Sequence, residues 1–583
     1  MNRKDKQAKI ISSDPAKWLK GLAYEWANKR WGTNGVIALW LSFLVLAGAV
    51  TVWWNWDTLM TRPWVKGLLP IRNQDVLQEV DTSRFSILVA NLEYDFGNDL
   101  KHNIIVSLRE IRGLQVIALD TTIGTEDESG ATERKKYLRA YGADVIISGS
   151  VIRNEGKSVP NLYWTVSPDI EAKQNRRYPL LPMDLRLPQL FWEDLSLVIQ
   201  LLTIQQLEPL RLSKNQYIAD RLLPLIRKVE TILPRVTRTA NGRASLSVFF
   251  FVLADAYNIT GQQTGKLQAL TQSIQYYRKS LRVLQRKDSR TSRIIRASIL
   301  LNLGVAQGYL GEMSGDADEL MKGSDALVKS SENFSMLGLP LQYAVAQHNL
   351  GNSLRILGSL QNEANFVRRA IKAHREALTI LTLKDTPFYW GQAKSGLGVN
   401  LMTLGEMENK PHLLEEAVLE HREALAAFSF QQTPIMWNNV QTNLGTSLAA
   451  IGFRKKGTTE LKEAASAFRE ALRALPSGYM PHQQAVINFN YGQTLAILSQ
   501  RDSSSEFLCT AAECFLKVAS YPLPQQMISS GLNSNELITA AKTALDDLAT
   551  LAGTEERDAC IRSLHASLIA ILNKPIGDSL GTK

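Results

Sequence analysis

"HNLGNSLRILG", residues His348 to Gly358, sets two glycines seven residues apart inside an apolar stretch with helical spacing. A glycine in a helix interior costs about 0.5–1 kcal/mol relative to alanine, so something must offset it. The stretch recurs. Leu-Gly stands at Leu303-Gly304, Leu350-Gly351, Leu397-Gly398 and Leu444-Gly445, and Tyr491-Gly492 follows, each step 47 residues. The second glycine keeps the same beat at Gly311, Gly358, Gly405 and Gly452, with Ser499 in the fifth copy, and so do Pro340, Pro387, Pro434 and Pro481. A second block, "REAL", returns at Arg375–Leu378, Arg422–Leu425 and Arg469–Leu472. A fainter copy begins with "LADAYNITG", Leu253 to Gly261, so that about six units span 244–525.

A fixed period of this length is the signature of a solenoid. Each unit holds two apolar-periodic segments, such as Ala370, Ala373, Ala377, Leu378 and Leu381 in one of them, and so reads as a hairpin of helices A and B. A lone hairpin leaves its apolar face uncovered, so units stack. The Leu-Gly glycine then lets a neighbouring helix come close. The second glycine reads as a helix stop, and the proline as the first turn of the next A helix.

Leu-Gly followed by small residues and "A-x-x-x-x-R-E-A-L" resembles the tetratricopeptide repeat, here in its extended 47-residue class from large bacterial proteins. Trp390 and Trp437 echo the tryptophan of that class. The resemblance implies an all-α superhelical solenoid whose A helices form a concave surface that binds a protein or peptide.

Gly35 to Trp54, "GVIALWLSFLVLAGAVTVWW", has no charge and is flanked by Trp31, Trp53, Trp54 and Trp56. About 20 such residues cross a bilayer core, and tryptophan favours its interfaces. A single transmembrane helix is therefore expected at 35–56, contacting the lipid bilayer. Residues 1–34 carry eight basic residues, Arg3, Lys4, Lys6, Lys9, Lys17, Lys20, Lys29 and Arg30, against Arg62, Lys66 and Arg72 in 57–74. The positive-inside rule puts the 1–34 tail in the cytoplasm and the bulk in the periplasm, at the inner membrane; the reverse, with the bulk cytoplasmic, is the alternative. The net charge of +10 is half concentrated in that tail and anchor, which is not the footprint of a nucleic-acid binder.

A 57–83 linker leads to a change of periodicity. Arg84–Leu92, Leu114–Leu119, Ala143–Val151 and Leu162–Ser167 read as strands, and Gly97–Ile111 and Thr132–Gly142 as helices. This alternation predicts a small α/β domain over 84–185 with parallel pairs. Its order resembles the amino-terminal domain of the TolB family, matched at Gly113–Ile117 and Gly142–Val151. A helical connector, 186–243, then bridges to the repeats, and helices in 526–583 cap them.

Chemistry-bearing motifs do not emerge. "GSVIRNEGKS", Gly149 to Ser158, lacks the glycine a phosphate loop needs at Val151, and Pro160 denies it a following helix. His374 and His421 share a column with Tyr277 and Phe468, which reads as packing. Cys509, Cys514 and Cys560 make no disulfide framework and read as buried small apolar residues. The expectation is a non-enzymatic scaffold or adaptor with no cofactor and no metal. The alternatives are a sensor of a bacterial signalling or defence system serving a separate catalytic partner, and, more remotely, an enzyme with an unfamiliar site in the α/β domain.

One column suggests where a partner binds. Asn302, Asn349, Asn443 and Asn490 each precede a Leu-Gly or Tyr-Gly pair, and only Gly396 breaks the series; Asn352 lies one turn beyond Asn349. Asparagine is a poor helix former, but its amide can pair with a peptide unit. Either these amides line a peptide groove, or they bridge neighbouring A helices.

Overall fold

The computed structural model describes residues 85–111, 114–123, 128–154, 157–167, 184–186, 218–239, 243–284, 289–431, 433–475, 481–502 and 505–520, and short helical pieces at 200–201, 203, 538–543, 546 and 558–564. The expected membrane span at 35–56, its tail and its linker lie outside the described residues. Among those described, one helical stretch, Ser292–Ser314, is long and apolar enough to cross a membrane, and over half of its apolar window is buried inside the protein. It is a helix of the repeat array.

The α/β domain runs β1 (Phe85–Asn91), α1 (Asp99–Arg109), β2 (Leu114–Thr122), α2 (Glu128–Tyr141), β3 (Val145–Asn154), β4 (Lys157–Val166) and β5 (Asp184–Arg186). The sheet order is β2-β1-β3-β4-β5. β1 is parallel to both β2 and β3, whereas β3 and β4 form an antiparallel hairpin. β1 is apolar from Ile87 to Ala90 because both its faces are covered. Ile87 and Val89 pack with Leu100, Ile104 and Leu108 of α1, while Leu88 and Ala90 pack with Leu138 of α2. α2 ends at Gly142, which is left-handed at φ +62°. β4 begins earlier than its apolar run suggests. Val151 faces Pro160 and Asn154 faces Lys157, so hairpin pairing recruits the polar stretch that precedes Leu162.

Helix α3 (Ile218–Thr239) joins this domain to the array. Its Leu222, Ile226 and Val229 share one core with β1, α1 and the first repeat. Tyr257 and Tyr276 both donate to Glu230 of α3, at 2.7 and 3.0 Å.

Six hairpins follow. The A helices are α4 (Arg243–Thr264), α6 (Arg290–Ser314), α8 (Pro340–Gln361), α10 (Pro387–Met407), α12 (Pro434–Arg454) and α14 (Pro481–Asp502). The B helices are α5 (Leu267–Val283), α7 (Ala317–Met336), α9 (Ala364–Leu378), α11 (Pro411–Ala424), α13 (Thr459–Ala474) and α15 (Ser505–Ala519). Each periodic proline is the first residue of its A helix.

The Leu-Gly glycine explains the hairpin. A Cβ added there would strike the side chain 23 residues on, in the B helix of the same unit. It would come within 2.6 Å of Leu327 at Gly304, 2.6 Å of His421 at Gly398, 2.9 Å of Phe468 at Gly445 and 2.8 Å of Phe515 at Gly492. At Gly351 it would collide with the His374 ring.

The second glycine is not a helix stop. Gly311, Gly358, Gly405 and Gly452 lie inside α6, α8, α10 and α12, each followed by two or three more residues of its helix. It is a second close approach, where the start of the B helix crosses. Leu320 would lie 2.7 Å from a Cβ at Gly311, and Val367 2.8 Å from one at Gly358. The left-handed stops come four residues later, at Gly315 (φ +70°), Asn362 (φ +53°) and Asn409 (φ +51°). Asparagine tolerates that conformation, so the stop column needs no invariant glycine.

The cysteine reading also needs correction. Cys509 of α15 is bonded to Cys560, 51 residues on, and only Cys514 is free. Ala541 and Leu564 are buried in one core with Leu508, Ala512 and Phe515, so the pieces at 538–543 and 558–564 pack on the last hairpin.

Overpacking a core costs about 1–3 kcal/mol. Gly351→Ala and Gly398→Ala are expected to destabilise by about that much. At Gly405 the nearest atoms to a Cβ are 3.0–3.2 Å away, two of them leucine side-chain atoms. Gly405→Ala is therefore expected to shift stability by less than about 1 kcal/mol, with the helix propensity of alanine compensating. Thermal unfolding of the three variants checks the ranking; an equal or reversed order contradicts it.

Candidate functional site

The A helices present a face on which three columns carry no charge. Down these columns stand Asn302, Val305 and Tyr309; Asn349, Asn352 and Ile356; Gly396, Val399 and Thr403; Asn443, Thr446 and Ala450; and Asn490, Gln493 and Ile497. Most are half-buried, and Tyr309 and Gln493 are exposed. The B helices are charged instead. Arg375 of α9 pairs with Glu416 of α11 at 3.0 Å, and Arg422 of α11 with Glu463 of α13 at 2.6 Å. Such exposed pairs add little stability but mark that face as solvated.

The five asparagines divide. Asn302 Nδ2 donates to Asp255 of α4 at 3.0 Å, Asn443 Nδ2 to Ser395 Oγ of α10 at 3.0 Å, and Asn490 Nδ2 to Thr446 Oγ1 of α12 at 3.4 Å. These three bridge to the preceding A helix, so they hold units together. Asn349 and Asn352 do not. Asn349 donates to Val345 O of its own helix at 2.9 Å, and Asn352 Nδ2 lies 3.3 Å from His348 Nε2. Both line a cleft of about 210 Å³ between α6 and α8, together with Gly308, Tyr309, Glu312 and Arg355.

The break in the column at Gly396 has a physical cause. A Cβ there would collide with Nε2 of His374, the buried ring of the preceding B helix. Asn400, one turn on, meets Nδ1 of the same ring at 2.9 Å, and His348 packs edge-on against it at 5.1 Å. His421 stands in the same column as His374, but the A helix after it carries Asn443 and Ser447, so the glycine and Asn400 answer to the placement of the His374 ring and not to histidine as such. His348 and Arg355 escaped the sequence reading because neither recurs in its column: His348 stands where the other units have Leu301, Ser395, Thr442 and Phe489. Arg355 stands where the other units have Gly308, Met402, Ala449 and Ala496.

In the α/β domain, the buried Lys101 donates to Asn91 Oδ1 at 2.5 Å and to Leu119 O at 2.6 Å. Its ammonium ties together the carboxyl ends of β1 and β2. Asp144, also buried, accepts from Ser86 N at 2.8 Å and from Ser86 Oγ at 3.1 Å. Both groups read as internal fastenings of the sheet. Among the described residues no three His, Cys, Asp or Glu side chains gather to hold a metal.

Three imidazoles are kept neutral by the fold. Burial lowers His348 to about 4, His421 to about 3 and His374 well below the ordinary value. Both ring nitrogens of His421 lack a partner. The unfolded chain takes up these protons near pH 6.5, and the folded chain does not. The contribution is therefore intact above about pH 7. It is lost as pH falls below 6.5, at about 1.4 kcal/mol per pH unit for each histidine until its folded value is reached. The urea midpoint is expected to fall between pH 7.5 and 5. His421→Phe, which supplies the ring found at Phe468, is expected to flatten that dependence; an unchanged slope contradicts it.

No family model matches this sequence, and no curated protein does. Solved structures similar to it include BtubC from P. vanneervenii, 19% identical over 44% of this chain and 87% of that one, with a TM-score of 0.29. The APC/C hetero-tetramer Cut9–Hcn1 is 14% identical over 64% of each chain, with a TM-score of 0.26. The complex of the TPR2AB domain of yeast Sti1 with pHSP90 is 15% identical over 50% of this chain and 98% of that one, with a TM-score of 0.16. At such scores the fold rests on the helices described above, not on these likenesses.

Proposed function

We propose that this protein is a non-catalytic, membrane-tethered scaffold whose A-helix face binds a protein or peptide partner. The observation that carries this reading is the three uncharged, amide- and hydroxyl-bearing columns described above, set against charged B helices. A surface of that kind suits the backbone of an extended chain, whose N–H and C=O groups need partners but no counter-charge. Neutral columns are a poor match for nucleic acid, where phosphate neutralisation dominates. The 47-residue beat supports the extended tetratricopeptide class for the array, and the β1-α1-β2-α2-β3 order supports a TolB-like module in front of it.

In this reading residues 35–56 span the inner membrane, the 1–34 tail stays in the cytoplasm, and everything from the linker onward lies outside. The Cys509–Cys560 bond supports that placement, because disulfides persist in oxidising compartments and are rare in the cytosol. A reporter active only in the periplasm, fused after Lys583, is expected to be active; activity of a cytoplasm-only reporter at that point contradicts the topology.

The binding claim is tested by affinity capture with the full chain. Val399→Glu combined with Gln493→Glu places charge on the A-helix face and is expected to abolish capture of the partner that the unaltered chain retains, with no change in Tm. Arg422→Ala on the B face is expected to leave capture intact. Loss of capture through Arg422→Ala alone would move the binding surface to the B helices.

A further inference from the structure

The cleft between α6 and α8 has two features that packing does not explain. The first is Gly308. A Cβ at every other described A-helix glycine would come within 3.0 Å of a neighbour, whereas at Gly308 the nearest atom is Ser353 Oγ at 3.9 Å. Two other units carry alanine in this column, at Ala449 and Ala496. Alanine would therefore fit and would favour the helix, yet glycine keeps the space empty. The second is Arg355. It is half-buried, and its guanidinium makes no hydrogen bond or ion pair with another described side chain. Burial lowers its guanidinium, and the Glu312 carboxylate opposes that effect. A charge taken from water without a bonded partner is costly.

The same walls hold a cation, Arg355, and an anion, Glu312, with the two amides of Asn349 and Asn352 beside them. An anion alone would face Glu312, and a cation alone would face Arg355. A ligand with both charges meets both. At about 210 Å³ the cleft is smaller than the roughly 300–1,000 Å³ of sites for drug-sized molecules.

We propose that this cleft binds a free α-amino acid, with its carboxylate on Arg355 and its ammonium on Glu312. Asn349 and Asn352 each use one Nδ2 hydrogen bond within α8, to Val345 O and His348 Nε2. That leaves a second N–H and the Oδ1 of each to complete the contacts. His348 is a positioning residue: it holds the Asn352 amide from behind and is itself braced edge-on by the buried His374. This site does not depend on the partner-binding reading and would stand if that reading failed.

The test is titration of the purified full chain with each of the twenty free L-amino acids, by calorimetry and by thermal shift. At least one is expected to bind, and its N-acetylated and its carboxamide derivatives are not. Glu312→Gln and Arg355→Met are each expected to weaken binding at least tenfold, and Gly308→Leu to abolish it. Gly308→Ala is expected to raise the Tm of the unliganded chain, which a packing role for this glycine would not allow. Binding by none of the twenty overturns the proposal. So does equal binding of the N-acetylated and carboxamide derivatives, which would make the cleft a side-chain pocket for a peptide, and so does a lower Tm for Gly308→Ala. Should Arg355→Met fail to fold, Glu312→Gln alone decides the charge dependence.

Discussion

Five of the six hairpins depend on one contact: the hydrogen of a helix A glycine against a side chain of helix B, 23 residues on. That residue is Leu327, His374, His421, Phe468 or Phe515; the glycine is constant in these five, and the first hairpin has Ala254 in its place, 23 residues before Tyr277. Fully burying a large apolar side chain yields about 1.5–3 kcal/mol, which exceeds the roughly 1 kcal/mol a helical glycine costs. The two helices are thereby drawn close enough to form one hairpin with a common apolar flank. The next hairpin needs that flank, and the linkers between A helices, through Asn302, Asn443 and Asn490, form only once the hairpins are stacked.

The repeats, the helix starts and the strand order were legible because each is written in periodicity or in a residue with one dominant backbone effect, such as the prolines that open α8, α10, α12 and α14. What was not legible depended on contacts between distant residues. The second glycine was misread as a stop because a stop and a close approach both select glycine; only the neighbouring Leu320 or Val367 tells them apart. The asparagine column was legible as a column but not as two populations, since the partners of three members lie 44–48 residues away. The Cys509–Cys560 bond is 51 residues long in sequence and leaves no local trace.

Units three and four depart most from the common pattern. His348, Arg355, His374, Gly396 and Asn400 replace apolar, small or asparagine residues of the other copies, and they meet in space beside the cleft. Local departures of this kind concentrate where a protein does more than fold. The uncharged columns of the A face would serve a long partner along their whole length, while this one neighbourhood adds buried charge and neutral imidazole at a single place.

The most direct measurement of the central claim is a double-mutant cycle on one hairpin, Gly398→Ala with His421→Ala. The first change overpacks the contact and the second removes the ring it strikes. If the contact sets the hairpin, the alanine at position 398 is well tolerated once the ring is gone. The loss of stability in the double variant then falls short of the sum of the single losses by more than about 1 kcal/mol, within the range seen for residues in contact. Additive losses would contradict the account and assign the glycine to something other than the approach of helix B.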